Sequence, residues 1–592
     1  MKKQLGLFLF FLYGFIPVVH AKDTDQNKNI QCFIQVWGMV KYRSLQSASG
    51  KFDADKVFLK YIDRIKKADR KNLNTLLLKM VGQADSGALK GIKNFRRQPG
   101  SGHLIKNIDY DWTRDRFYEK ELRQKLVALS SVGNLNGIHH YIPTLWYDSL
   151  LPNEPSYADY NFDNQAMNLL ALAKAWNAVE YLFPYKYKTD ENWKVVLSRM
   201  IPVFEHVKSR ADYEKAVLLL EAATDDTHAE GFMDQIKEKV KVFKLDYYPP
   251  FKYSIYRQNI LVEDFLSDSL EHGASLQKGD LIVKINGIDV ACWLKDRAAL
   301  LPASNIAVKN RILSTQNTGM AYAFTAIKNP ALQLKILRKG KYYKRSVKML
   351  SLKNTDEVGL INRFFQSRIN QKKVKKGYED LGDGVGIIRA GYFFDQDLPA
   401  DTQSVLKFSA LLNSKKALIF DMRAYPQSPG LFYYYLPQML GKAAFKFARY
   451  YQADQKDPGA FLLKNELEAY LSKDIQIHSA LYNGKIIILT NEHTQSMGEW
   501  FTMMLRALSS KAVIIGSQTA GADGDLKKLN LPGNYQFQFT GNGIFYPNGK
   551  ETQRIGIKPD IAFEPTIEQI MAYSDVQLEQ ALKYISDAEK KQ

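Results

Sequence analysis

Three residues of this chain have the chemistry for acyl transfer: Ser496, a hydroxyl nucleophile, His493, three residues before it, and the distant His228, imidazoles able to take its proton. A serine hydroxyl is a weak nucleophile until a neighbouring base removes its proton. Imidazole titrates near pH ~6.5, so at neutral pH it can accept that proton without a strongly shifted pKa. The setting of Ser496 suits the role. Ile486-Ile487-Ile488-Leu489 is a short β-branched run, expected as a buried strand. A polar turn follows from Thr490 to Gln495, and Trp500, Phe501, Met504, Leu505 and Leu508 then recur at helical spacing. Ser496 falls where the turn becomes the helix. Backbone N–H groups at a helix start lack intrahelical acceptors, so that of Met497 can receive the negative oxygen of a tetrahedral intermediate. The pattern also has a purely structural reading. Serine is a favoured N-cap, and Glu499, three residues on, would complete a capping box. The two readings are compatible.

The order strand, serine turn, helix, second apolar strand (Ala512 to Ile515), then the stretch Gly516 to Asp525, "GSQTAGADGD", resembles the C-terminal processing peptidase and tricorn core protease family of serine peptidases. Asn548 to Ile561, "NGKETQRIGIKPDI", resembles that family's closing motif. The resemblance runs from Asp380 to Glu564 and is weaker upstream. It implies a multidomain α+β chain: a helical N-terminal region, a PDZ-like β domain and an α/β crotonase-like serine peptidase domain. It also implies a second oxyanion donor from a "D-L-R-N-N-P-G-G" turn. Here Asp421, Arg423 and Pro426 match, while Gln427 and Ser428 stand where the glycines should be. Any residue but proline carries a backbone N–H, so Gln427 or Ser428 is expected to supply the donor. Losing one such donor costs about 3–4 kcal/mol of barrier, so the geometry of this turn matters.

The processing-peptidase branch takes its base from a lysine in a "T-F-G-K-G" turn. This chain reads Thr519-Ala520-Gly521-Ala522-Asp523, with Ala522 at the lysine's place, and Lys527 and Lys528 lie too far along. The tricorn-like branch uses a histidine from an upstream "D-S-H" turn, which "DDTHAEG", Asp225 to Gly231, resembles. That makes His228 the expected base. Thr227 then stands at the polar residue before it, and Gln553 at the acid three residues before the closing glycine. Gln553 can orient an imidazole but cannot stabilise an imidazolium by charge. Glu551 is near in sequence but is expected to point elsewhere. His493 is expected on the far side of the serine turn, in a structural role. These departures leave a second reading open: a weak or inactive family member that binds a peptide or another ligand.

The chain has 592 residues, enough for about four domains. Met1 to Ala21 has the pattern of a signal peptide: Lys2 and Lys3, an apolar stretch interrupted by Pro17, and a Val19-His20-Ala21 end. The stretch is shorter than a membrane span, so export to the periplasm or the outside is expected. Residues 22–248 read as mostly helical. They contain a weak internal repeat, Trp37 to Tyr42 matching Trp176 to Tyr181, with 93–164 a long irregular connection. Residues 249–352 turn to short strands, with an Asn286-Gly287 hairpin signal and a Lys339-Gly340 turn. This part resembles a PDZ domain, which implies docking of extended chain ends by strand addition, or else a structural spacer. Residues 353–592 are the expected catalytic domain, with strands at Val385 to Phe394 and Ala417 to Phe420. The net charge of +20 reads as a solvated basic surface, and no nucleic-acid module is found. No Cys/His cluster has metal spacing, so neither metal nor cofactor is expected. Cys32 and Cys292 are expected as separate thiols. The expected partner is a protein or peptide substrate, its C-terminus at the PDZ-like domain. The oligomeric state is not set by the sequence.

Overall fold

Two tryptophans set the geometry of the first third of the chain in a computed structural model. The model describes residues 24–85, 102–133, 137–145, 148–273, 275–315, 319–370, 376–392, 402–441, 446–468, 482–572 and 574–590. The expected signal peptide lies outside them. Trp37 Nε1 donates to the carbonyl of Ala54 at 2.7 Å, and Trp176 Nε1 to that of Trp193 at 2.8 Å; each pair is 17 residues apart. Each tryptophan thus pins a helix to the start of the next: α1 (Thr24–Arg43) to α2 (Ala54–Lys66), and α3 (Gln165–Leu182) to α4 (Trp193–Glu205). Asp53 and Asn192 cap the second helix of each pair through their side chains. The two hairpins meet where Gly38 of α1 faces Asn177 of α3. A Cβ at Gly38 would lie 1.6 Å from Asn177 Oδ1, and Asn177 Nδ2 donates to the carbonyl of Ile34. Only a residue without a side chain allows that approach.

The connection between the hairpins differs from expectation in one respect. It holds a helix, Lys120–Val132, whose Leu122, Leu126 and Leu129 are buried. That 3.6-residue spacing is masked in the sequence by the Gly-, Asn- and aromatic-rich flanks. Residues 93–101 of the connection lie outside the described ones. Its last part is anchored by a buried charge cluster: Lys41 to Glu154 at 2.7 Å, and Lys174 to Glu154 and Asp55 at 3.2 Å each. Such a cluster fixes one packing rather than adding much stability, because desolvation offsets the attraction.

After helix α5 (Arg210–Ala222) and the turn Thr227–Gly231, the chain becomes a β-rich unit. Its strands β1 (Phe251–Tyr256), β2 (Asn259–Phe265), β3 (Leu281–Ile285), β4 (Ala331–Arg338) and β5 (Lys341–Lys348) pair in that order, all antiparallel. Asn286 and Gly287 both have positive φ, as do Lys339 and Gly340, so both expected tight turns form. The long connection between β3 and β4 contains helix α6 (Ile306–Leu313). The segment after it lies along the outer edge of β1. Thr315 N–H donates to the carbonyl of Tyr253, whose own N–H donates to Thr315 Oγ1, and Ile255 N–H donates to Ser314 Oγ.

The third unit is built on a six-stranded sheet in the order β6 (Tyr378–Gly382), β7 (Val385–Arg389), β8 (Ala417–Asp421), β9 (Lys485–Thr490), β10 (Val513–Gly516), then β13 (Ile561–Ala562). β7 to β13 run parallel, and β6 is antiparallel to β7. Ile388, Phe420, Ile488 and Ile514 fill one face of the sheet; Ile387, Ile419, Ile487 and Ile515 fill the other. Burial on both faces explains why these strands read as unbroken apolar runs. β7 ends at Arg389, sooner than Phe394, because Tyr392 N–H turns back to the carbonyl of Arg389; residues 393–401 lie outside the described ones. A hairpin, β11 (Leu526–Leu531) and β12 (Tyr535–Thr540), leaves this sheet and packs into the helical region. Ser149 to Glu154 line its other edge: Lys528 N–H donates to the carbonyl of Ser149, and Leu151 N–H to that of Lys528. Among the described residues no helix is long and apolar enough to cross a membrane.

Candidate active site

Ser496 stands between β9 and helix α7 (Met497–Leu508) with φ 53° and ψ −118°. A non-glycine residue is held there only when its surroundings over-determine it, and such strain is concentrated at functional sites. The side chain forms no N-cap bond; its Oγ instead donates to the carbonyl of Gly524 at 3.3 Å. The expected capping box is therefore absent. Glu499, fully buried, turns away to the loop that faces the serine. It accepts from Gly521 N–H at 2.8 Å, from Ala522 N–H at 2.9 Å and from the Thr519 hydroxyl. Ser496 N–H donates to the carbonyl of Ala522 at 3.0 Å, so the two turns are locked together. Burial pushes the Glu499 carboxyl up to about 7, against the hydrogen bonds from the Thr519 hydroxyl and the backbone of Ala522, Gly521 and Ser496 that hold it down.

His228 comes to this place because α5 and the turn after it grip β12. Glu214 accepts from the Tyr535 hydroxyl, Glu221 from Gln538 N–H at 2.7 Å, and Asp226 Oδ2 from Thr540 N–H at 2.6 Å. Asp226 Oδ1 accepts from the Thr540 hydroxyl at 2.9 Å and from Gln553 Nε2 at 3.2 Å. His228 Nδ1 lies 2.7 Å from that same Thr540 Oγ1 and 3.8 Å from Asp226 Oδ1. The proton positions follow from the inventory of donors. A carboxylate only accepts, and threonine has one hydroxyl proton, which goes to Asp226. The hydroxyl oxygen therefore accepts from His228 Nδ1–H. Nε2 is left as the bare nitrogen, the form a general base requires. Burial lowers the His228 pKa, opposed by the negative charges of Asp226 and Asp525.

Ser496, His228 and His493 line one cavity of 1560 Å³, with Tyr425, Met497 and Asp523. Residues 384–563, which contain the serine turn, match the model of Peptidase family S41. This stretch belongs to that family. S41 peptidases are serine proteases. No curated protein sequence matches the chain. Similar solved structures include mature CPAF complexed with lactacystin, at 14% identity over 72% of this chain and 98% of that one, with a TM-score of 0.47. Others are the photosystem II D1 C-terminal processing protease (16%, 71% and 99%, TM-score 0.31) and the tricorn protease (15%, 72% and 37%, TM-score 0.28).

The other expected residues fall in different places. Met497 N–H, at the helix start beside Ser496, makes no hydrogen bond among the described residues. Gln427 N–H is not available as expected: it donates to the carbonyl of Ala390 at 2.9 Å, and the Gln427 side chain turns to the carbonyl of Tyr425. The carbonyl of Ser428 accepts from Leu431 N–H. Thr227 faces the β-rich unit, where its hydroxyl and N–H both meet Ser304 Oγ, so it does not touch the imidazole ring. Gln553 is one step removed, bonded to Asp226 rather than to His228. Glu551 is held at about 2 by Lys106, Lys188 and Tyr187, away from the site. His493 shares the cavity, contrary to its expected place across the turn; its N–H donates to Asn491 Oδ1. At the family's lysine position Ala522 is buried, and Lys527 Nζ donates to the carbonyl of Asp148 and to Asp525 at 2.7 Å each.

Sequence reasoning passed over Asp226, Thr540, Tyr425 and Asp523. Asp226 was legible, since it lies two residues before His228 in the same turn. Thr540 carries no local signal, because it matters only once β12 is laid beside that turn.

Proposed function

We propose that this chain is an exported serine endopeptidase of the tricorn-like branch. Ser496 is the nucleophile, His228 the base, and unfolded protein or peptide the substrate. The observation that carries this reading is that His228 and Ser496 line one cavity, with His228 Nδ1 held against Thr540 Oγ1 and, through it, Asp226. Ser496 Oγ attacks the scissile carbonyl carbon as His228 Nε2 takes its proton. The carbonyl π pair moves onto oxygen, which Met497 N–H receives. The imidazolium is steadied by Asp226, and returns the proton to the leaving amine as the acyl-enzyme forms. Water then repeats the sequence and frees Ser496. Ser496→Ala should abolish cleavage of an unfolded protein, and His228→Ala should reduce kcat by at least about 10³-fold. Unchanged hydrolysis by the serine variant excludes this mechanism.

A second reading, a peptide- or ligand-binding protein without turnover, is favoured by the bond from Gln427 N–H to Ala390, which closes one of the two expected second oxyanion donors. It predicts that wild type and Ser496→Ala are equally inert toward unfolded protein while both bind it. The β-rich unit reads as PDZ-like in this proposal, and Met1 to Ala21 as its export signal.

A further inference from the structure

Tyr425 occupies the place that the closed oxyanion turn leaves vacant. It stands immediately before Pro426, where the family turn has asparagine, and its side chain is half-exposed at the cavity that Ser496 lines. The turn that carries Tyr425 packs on the start of α7, with Pro426 Cδ 3.9 Å from a Cβ placed at Gly498, and Tyr425 and Ser496 line the same cavity. The backbone N–H that the family turn would offer, that of Gln427, already serves Ala390. With the Gln427 N–H engaged, the cavity beside Ser496 offers the N–H of Met497 and the phenol of Tyr425. We infer that the Tyr425 hydroxyl is the second donor to the oxyanion, replacing the backbone N–H of Gln427. This assignment rests on Ser496 being the nucleophile.

The chemistry balances without any further reactant. Before attack, the serine hydroxyl donates to the carbonyl of Gly524. When the Ser496 Oγ–carbon bond forms, the proton of Oγ passes to His228 Nε2 and the carbonyl π pair becomes an alkoxide lone pair. Tyr425 O–H then donates to that alkoxide and keeps its own proton. Burial, with the charge of Asp523, raises the phenol above its ordinary value, against a smaller lowering by Ser496, so it is a donor throughout the neutral range. A side-chain phenol also explains how Gln427 and Ser428 can stand where two glycines would otherwise be needed. The turn no longer has to present its backbone to the substrate.

The test uses the full chain and Tyr425→Phe, which keeps the ring and removes only the hydroxyl. At a site 48% exposed the variant should fold as wild type does, checked by thermal unfolding. Cleavage of an unfolded protein or peptide should fall about 10²-fold in kcat with KM nearly unchanged. A peptide aldehyde, which forms a tetrahedral adduct on Ser496, should bind at least about tenfold more weakly to the variant. The matching peptide alcohol, which forms none, should bind both equally. A variant with kcat within about threefold of wild type, or with undiminished aldehyde affinity, overturns the assignment and leaves the serine peptidase reading intact. A wild type that neither cleaves peptide nor prefers the aldehyde overturns both.

Discussion

Two effects on the His228 imidazole pull against each other, and its pH behaviour separates them. Burial lowers its pKa, and the Asp226 and Asp525 carboxylates raise it. Its base form exists above that pKa, so peptidase activity should persist below pH ~6.5, the ordinary imidazole midpoint, before its acid limb falls. Asp226→Asn removes a charge that raises the pKa. The acid limb of kcat/KM should then move to still lower pH even as kcat drops. Thr540→Val breaks the hydroxyl bridge but keeps the charge. It should lower kcat by about tenfold or more through loss of the tautomer and ring orientation, with a smaller movement of the limb. An acid limb that moves upward in Asp226→Asn would show that another group titrates. Much of this site was legible at the level of single residues. The strand before Ser496 and the helix after it were readable, and His228 stands on the cavity that Ser496 lines, while the catalytic role of each belongs to the proposal. The roles expected of Thr227, Gln427 and Gln553 were less so. Each depends on which way a side chain or an N–H points, and that is decided by neighbours such as Ser304, Ala390 and Asp226 that lie far off in sequence.

At the scale of elements, the turn that holds the nucleophile and the hairpin that holds the base are each fixed by buried carboxyls. Glu499 is raised from its ordinary value to about 7, so the folded chain keeps a proton that the unfolded chain has already lost. The sign follows directly: between pH 4.5 and about 7 the folded state binds more protons, and stability falls as pH rises. At ~1.4 kcal/mol per unit, that window is worth about 3 kcal/mol. Urea unfolding of Glu499→Gln should show a visibly flatter loss of stability across it. An unchanged slope would mean the carboxyl is ionised in the fold throughout. The hairpin β11–β12 depends in the same way on Glu221, whose carboxyl burial drives well above its ordinary range and which accepts from Gln538 N–H. Glu221→Ala leaves that N–H unpaired, at a cost of about 1–3 kcal/mol. It should also reduce kcat, because β12 carries the Thr540 that aims His228. The parallel strands were readable because burial on both faces makes them uniformly apolar. The hairpin was not, since Leu526 to Leu531 and the alternating Tyr535-Gln536-Phe537-Gln538-Phe539 look like any half-exposed pair until Glu214, Glu221 and Asp226 are brought over it.

At the scale of the whole molecule, three units converge on one cavity, and the β-rich unit takes part through helix α6 rather than through a free strand edge. Asn305, the cap of α6, donates to the carbonyls of Thr519 and Ala520 on the loop facing Ser496. Arg311 pairs with Glu230 from the histidine turn and reaches Gln495 beside the nucleophile. Strand addition on β1, by contrast, needs the outward N–H and carbonyl groups of Tyr253 and the N–H of Ile255. All three are already bonded to Ser314 and Thr315. A peptide entering there must displace three hydrogen bonds to make three, which leaves little net gain. Recognition of a substrate's terminal carboxylate by this edge is therefore disfavoured, and the unit acts as a wall of the cleft. Two peptides of one sequence, one with a free C-terminus and one amidated, both cleaved well away from that end, should have kcat/KM values within about twofold of each other. Arg311→Ala should change KM for both alike. A preference of tenfold or more for the free carboxylate, lost when Ser314 and Thr315 are replaced by proline, would instead make the edge a docking strand that opens on binding.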